Sequence, residues 1–300
     1  MNAVQALLTS ARPKFLVLTF ACIALGWAGS AYANLALSLP LFGLVVIGGL
    51  AAHISVNWFN EYHDFHSGLD LITVKTPFSG GSGALPDKPE FADKVLWGAI
   101  LSLILTIVIG CYLVYLRGAG LLLVGVLGVM LILSYTPYIN RSALLCLIAP
   151  GFGFGVLMVT GAAIAVGGQL STATAWLTVP AFFLVNNLLL LNQFPDMDAD
   201  QKVGRNHLLI RYGRVISSRV YVAFMVCAYI SIGLGVFLDA LPLLALCALV
   251  TLAMAVPTAR GVLQNANNPE KLNRFLGANV GITIFTIVIL AVAVFIESGR

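Results

Sequence analysis

Residues 15–56 contain no Asp, Glu, Lys or Arg, and a stretch of that kind leaves a chain few ways to fold. About 20 apolar residues in a helix cross the ~30 Å hydrocarbon core of a bilayer, where each backbone N–H and C=O must be satisfied inside its own segment. Similar runs recur at 15–34, 38–58, 94–116, 118–136, 143–167, 174–194, 218–238, 240–259 and 277–296. They predict an all-α membrane protein of nine transmembrane helices forming one bundle. Composition agrees: 9% of residues are charged, against roughly a quarter in soluble globular domains, and the mean hydropathy is +0.98. The first run exceeds the ~7–15-residue apolar core of a secretory signal and lacks a convincing cleavage site, so it is expected to stay attached.

Basic residues set the expected orientation. Arg12, Lys14, Lys75, Lys88, Lys94, Arg141, Lys202, Arg205, Arg211, Arg214, Arg219, Arg260, Lys271 and Arg274 would share one side, and only Arg117 and Arg300 the other. The positive-inside rule then places the N-terminus and the even-numbered loops in the cytoplasm of a multi-pass protein of the inner, cytoplasmic membrane. The net charge of +4 is a topology signal, and a nucleic-acid partner has no support beyond it. Cys22, Cys111, Cys146, Cys227 and Cys247 sit singly in apolar spans, with no spacing of a metal site or disulfide framework.

Polar chemistry concentrates at two helix ends on that one side. The first reads Asn57-Trp-Phe-Asn60-Glu61-Tyr-His63-Asp64-Phe-His66-Ser-Gly-Leu-Asp70, and helical spacing puts Asn57, Asn60 or Glu61, and Asp64 on one face, with His53 a turn deeper. The second carries Asn192, Asp196 and Asp200 at i, i+4 and i+8, with Asp198 on another face. Carboxylates at a membrane edge are costly enough to suggest function. Carboxylate and amide oxygens suit Mg²⁺, which is usually held by one or two carboxylates plus substrate phosphates. His63 and His66 have no third His or Cys nearby, which ranks zinc below magnesium. Lys202 and Arg205 supply cations for a diphosphate. The loop from Lys75 through Pro77-Phe-Ser79-Gly80-Gly81-Ser82-Gly83 could cradle phosphates or act only as a connector. Arg12-Pro13-Lys14 fits either a cytoplasmic anchor or an anion-holding role. Asn186 and Asn187, deep in a span, need a polar cavity or a helix contact. The recurrence of acidic ends after helices 2 and 6 hints at an internal duplication.

On these residues the chain resembles the UbiA superfamily of intramembrane prenyltransferases, whose members share an Asn-Asp-x-x-Asp-x-x-x-Asp motif after helix 2 and an Asp-x-x-x-Asp motif after helix 6. Asn60-Glu61-Tyr-His-Asp64 matches the first with Glu61 in place of the second-position Asp, and the third acid is displaced to Asp70; Asp196-Met-Asp-Ala-Asp200 matches the second. The displaced Asp70, Arg12-Pro13-Lys14 and Gly204-Arg205 are similar to the 1,4-dihydroxy-2-naphthoate prenyltransferases of menaquinone biosynthesis, whereas Pro77–Gly83 and Asn192–Pro195 depart from that pattern.

The resemblance implies that residues 1–300 form a single UbiA-type domain with a cytoplasm-facing active-site cavity in the lipid bilayer. Asp64, Asp196 and Asp200, with Asn60 and Asp70, would hold Mg²⁺ on a polyprenyl diphosphate. Lys75, Lys202, Arg205 and Arg141 would neutralise its oxygens. His53, Asn57 and Tyr135 are assigned to the aromatic acceptor. Other acceptors open to such an enzyme are 4-hydroxybenzoate, a porphyrin-type ring or a lipid glycerol backbone. Rivals of another class are a secondary transporter, whose sites lie near the midplane on broken helices, and a non-catalytic quinone- or lipid-binding protein, which would need no acid pair on both loops. The orientation is testable with an impermeant thiol reagent: a cysteine engineered near Gly81 should be protected in intact cells and labelled after permeabilisation, and labelling from outside would refute the assignment.

Overall fold

The computed structural model describes residues 2–76 and 78–299; Pro77 of the Gly/Ser-rich loop and Arg300, assigned above to the outer side, lie outside the described residues. Every regular element among the described residues is helical. After an amino-terminal helix, Ala3–Ser10, come nine principal helices. They are α1 Val17–Tyr32, α2 Leu39–His66, α3 Ala92–Arg117, α4 Ala119–Ser134 and α5 Ala143–Gly167, then α6 Thr172–Lys202, α7 Leu208–Phe237, α8 Leu243–Gln264 and α9 Pro269–Ile296.

Each predicted span falls on one of these helices, but length separates them. Seven are long and apolar enough to cross a membrane, and α1 makes an eighth only if joined to Ala3–Phe15, from which it bends by 47°. Length and composition thus support seven or eight of the nine expected spans; α4, with 16 residues, falls short of the length test. Gly118 at φ 87° separates α3 from α4, and Thr136-Pro137 closes its far end. Large apolar side chains such as Trp97, Tyr115, Leu123 and Phe237 are exposed on the outer surface, as expected of faces that meet lipid rather than water.

The bundle is organised around α6, whose apolar stretch is 61% buried. It packs against α7, α9, α5 and α1, and α9 returns to α1 to close that half. Without a hydrophobic driving force between helices in lipid, small residues and interhelical hydrogen bonds carry the association. Pro150 interrupts α5, and the wide turn Gly151–Met158 that follows is π-helical. There Gly151 and Gly155 lie so close to the α6 backbone at Ala181 and Phe182 that a Cβ on either would come within 2.5 Å of it. The Gly151 N–H donates to Asn186 Oδ1 at 2.6 Å.

Asn187 belongs to a second device. Its Nδ2 donates to the Tyr221 carbonyl at 2.9 Å, the Tyr221 hydroxyl donates to Asn279 Oδ1 at 2.9 Å, and Asn279 Nδ2 donates to the Asn187 carbonyl at 3.0 Å. This closed ring ties α6, α7 and α9 together, so both span amides make helix contacts. Asn279→Ala would strand the buried Tyr221 hydroxyl, at about 1–2 kcal/mol. The expected result is a lower thermal midpoint in detergent than the parent; an unchanged midpoint would show that the ring contributes nothing to stability.

Candidate active site

The helical periodicity that places Asn60 and Asp64 on one face of α2, and Asn192, Asp196 and Asp200 on one face of α6, aims both sets at the same space. A polar cavity of about 120 Å³ is lined by Asn60, Asp64, Asp70, Asn192, Asp196 and Asp200, together with Arg12 and Arg205. What keeps this concentration of carboxylates together is Arg205. Gly204, at φ 81°, adopts a left-handed turn that suits glycine and brings Arg205 back over the end of α6. Its Nη1 donates to Asp200 Oδ1 at 2.9 Å and its Nη2 donates to Asp64. One guanidinium therefore bridges the two acidic motifs. Although burial opposes its charge, Asp64 and Asp200 raise its pKa above the ordinary arginine value.

Around this bridge the remaining groups are only partly satisfied. His207 Nε2 donates to Asp200 Oδ2 at 3.0 Å, and the Gly80 N–H donates to Asp196 Oδ2 at 3.2 Å. Gly81 approaches Asp70 so closely that a Cβ there would lie 2.4 Å from Oδ1. Asp70 Oδ2, Asp196 Oδ1 and Asn192 Oδ1 are buried with no hydrogen-bond partner, and buried oxygens of that kind call for a ligand. Hard oxygen donors left unpaired beside anionic neighbours fit a divalent cation such as Mg²⁺. Among the described residues no three His, Cys, Asp or Glu side chains converge as a ready cage.

The polar cavity adjoins a larger one of about 690 Å³ among α1 to α6. Arg12, Asn60, Phe78, Tyr135, Leu189 and Asn192 line both and so form the junction. Beyond it the lining is almost wholly apolar, with residues such as Val45, Leu113, Leu122, Val129 and Leu157. His53 also faces this cavity. It is buried, shares a 2.8 Å hydrogen bond between Nδ1 and Thr19 Oγ1, and sets its ring edge-on to Phe154 at 4.6 Å. Asn57 lines the cavity while its Nδ2 donates to the Ala11 carbonyl at 2.9 Å.

Not all expected site residues meet there. Lys75, Lys202 and Arg141 are exposed and contribute to neither cavity lining; Lys75 lies against Gly83 instead. Asp198 points away, its side chain 76% exposed and paired with Arg214 at 3.2 Å. His66 is exposed, and neither it nor His63 lines the polar cavity. Glu61 is fully buried and turned towards Arg12 and Ser82. His207 also lines the polar cavity, although no helical periodicity of the sequence marks it. Its signal is its position seven residues beyond Asp200, behind a Gly-Arg turn.

The helical bundle, with several helices long and apolar enough to cross a membrane, holds a carboxylate-rich polar cavity beside a larger apolar one, an arrangement of the class suited to molecules with a charged head and an apolar tail. Residues 15–285 match the UbiA prenyltransferase family, and the chain belongs to it and is a prenyltransferase. It is 28% identical over 268 residues to a 1,4-dihydroxy-2-naphthoate octaprenyltransferase of Haemophilus influenzae, covering 79% of this chain and 82% of that one. It is 26% identical over 228 residues to the enzyme of that name from Bacillus subtilis, covering 73% and 70%. The fold is similar to that of a digeranylgeranylglyceryl phosphate synthase (TM-score 0.68, 17% identity, 97% and 99% of the two chains). It is also similar to a UbiA homologue from Archaeoglobus fulgidus bound to GPP and Mg²⁺ (TM-score 0.61, 13% identity, 95% and 99%).

Asp70, beyond the end of α2, supplies a pH test. Burial, reinforced by Glu61 and Asp64, pushes its carboxyl up to about 7. A carboxyl raised on folding contributes stability that is complete below its unfolded value of about 4 and is lost as pH climbs towards 7. In metal-free protein, Asp70→Asn should therefore shrink the fall in thermal midpoint between pH 4 and 7. A pH profile identical to the parent would remove Asp70 as a buried titrating group.

Proposed function

We propose that this prenyltransferase moves a polyprenyl group from a polyprenyl diphosphate to 1,4-dihydroxy-2-naphthoate, with Mg²⁺, at the cytoplasmic side of the inner membrane. The observation that carries the reading is that the carboxylate-rich cavity and the apolar one adjoin across six shared lining residues. A diphosphate fits only the first, and an isoprenoid tail only the second. The naphthoate acceptor is supported by the names of the relatives from Haemophilus influenzae and Bacillus subtilis, and magnesium by the ion in the Archaeoglobus fulgidus structure.

Asp64, Asp196, Asp200 and Asn60, with Asp70, are the residues that would hold Mg²⁺. The ion would supply charge neutralisation on the departing diphosphate. Arg205 adds a fixed guanidinium where negative charge develops, a preorganised donor of the kind that lowers such barriers. Lys75, Lys202 and Arg141 stand at the surface, where they draw an anionic head group towards the site. The apolar cavity holds the tail and keeps water from the allylic cation once the C–O bond to diphosphate breaks. Phe78 and Tyr135 border the junction with π-systems suited to a cation. His53, Asn57 and Tyr135 orient the electron-rich ring, whose carbon forms the new C–C bond while the ring gives up its carboxylate as CO₂ and so recovers its aromaticity.

Membranes containing the protein, given Mg²⁺, a polyprenyl diphosphate and 1,4-dihydroxy-2-naphthoate, are expected to form a prenylated naphthoquinol and release diphosphate, with the ring carboxylate leaving as CO₂. Prenylation of 4-hydroxybenzoate with no naphthoate product would overturn the acceptor and leave the family standing. Asp64→Asn and Asp196→Asn should each lower turnover by about 10²-fold or more, the scale of losing a group that stabilises developing charge. Asp198→Asn, on the exposed face, should change it little. Near-parental rates in either of the first two variants would remove that acid from the metal site.

A further inference from the structure

Glu61 stands beside Asn60 in the first acidic motif, yet the fold withdraws it from the metal side. Its side chain is completely buried and lines neither cavity. Arg12 Nη2 donates to its Oε2 at 3.2 Å, the Ser82 N–H donates to the same oxygen at 3.3 Å, and the Ser82 hydroxyl donates to Oε1. With donors already on both oxygens, Glu61 is an anchor rather than an open ligand.

What it anchors is the single cationic side chain in the lining of the apolar cavity among the described residues. Arg12 lines both cavities, and while Nη2 is committed to Glu61, Nε is buried without a partner. Arg205, the other guanidinium of the polar cavity, already divides its nitrogens between Asp64 and Asp200. Arg12 is therefore the cation with donors to spare. Its backbone is also forced: φ is 52° in a non-glycine residue, a left-handed conformation that surrounding contacts must hold and that clusters at functional sites. The contacts are present. Asn57 Nδ2 donates to the Ala11 carbonyl at 2.9 Å, and the Arg12 N–H donates to the Thr9 carbonyl at 3.1 Å.

We infer that Glu61 is a positioning residue that presents the Arg12 guanidinium at the junction of the two cavities, where Arg12 binds the carboxylate of the aromatic acceptor. The inference rests on the acceptor reading above and deepens it. A planar guanidinium fork matches a carboxylate bidentately. With the diphosphate drawn to the metal-binding acids and Arg205, the oxyanion left for a cation on the apolar side is one carried by a flat ring. The same fork would also accept a diphosphate oxygen, so the test has to separate the two sources.

Steady-state kinetics of the full chain in membranes separates them, using Glu61→Gln, Arg12→Gln and Arg12→Lys. The first is isosteric and retains an oxygen for Ser82; the last keeps the charge and loses the fork. In all three, KM for 1,4-dihydroxy-2-naphthoate should rise by about tenfold or more while KM for the polyprenyl diphosphate stays within about threefold, the pattern of lost acceptor binding. The rise should vanish with 1,4-naphthalenediol, which has the ring and both hydroxyls but no carboxylate. A rise in the donor KM instead would give Arg12 to the diphosphate and overturn the inference, as would unchanged KM values for both substrates. If the parent protein prenylates the diol and not the naphthoate, the acceptor reading itself fails and takes the inference with it.

Discussion

The structure depends on one guanidinium. Asp64 ends one helix and Asp200 another, 136 positions further along the sequence, and four Asp side chains crowd a cavity of about 120 Å³. Like charges at such range repel strongly when partly desolvated. Arg205, turned inward by Gly204, sits between them with a nitrogen on each. It converts a repulsive meeting of helix ends into a cross-link between α2 and α6. It also ties together two walls of the polar cavity.

The two sides of the bundle are built to different standards. The apolar stretches of α6 and α9 are 61% and 50% buried, whereas those of α2 and α3 are only 22% and 17% buried. The tight side carries the close glycine contacts of α5 and the Asn187–Tyr221–Asn279 ring. Along the loose side, α2, α3 and α4 wall the apolar cavity with Gly48, Gly110, Gly125 and medium-sized aliphatic residues. A closely packed half thus backs a lightly packed one, and the apolar cavity lies between them.

Much of this was legible from the sequence, and the rest was hidden for identifiable reasons. Helical spacing alone brings Asn60 and Asp64, or Asn192, Asp196 and Asp200, onto one face, because period 3.6 survives in any environment. The same arithmetic turned Asp198 outward. Lys75, in a loop, follows no such period, and Lys202 is the last residue of α6, so both could be counted but not aimed. The pairing of Arg12 with Glu61 spans 49 positions and arises from tertiary packing that no local pattern encodes. Asn186 and Asn187 announced a need for partners without naming them, since the partners lie on other helices. At α4 an apolar run of adequate composition forms a helix of only 16 residues, bounded by Gly118 and by Thr136-Pro137.

That short helix has a consequence for the surrounding lipid. Sixteen residues rise about 24 Å, some 6 Å less than an ordinary hydrocarbon core, and α4 is also a wall of the apolar cavity through Leu122, Gly125 and Val129. The bilayer must pinch or the helix ends must stretch to meet it, at a fraction of a kcal/mol per ångström. The thickness of the host membrane thereby bears on the apolar cavity through one of its walls.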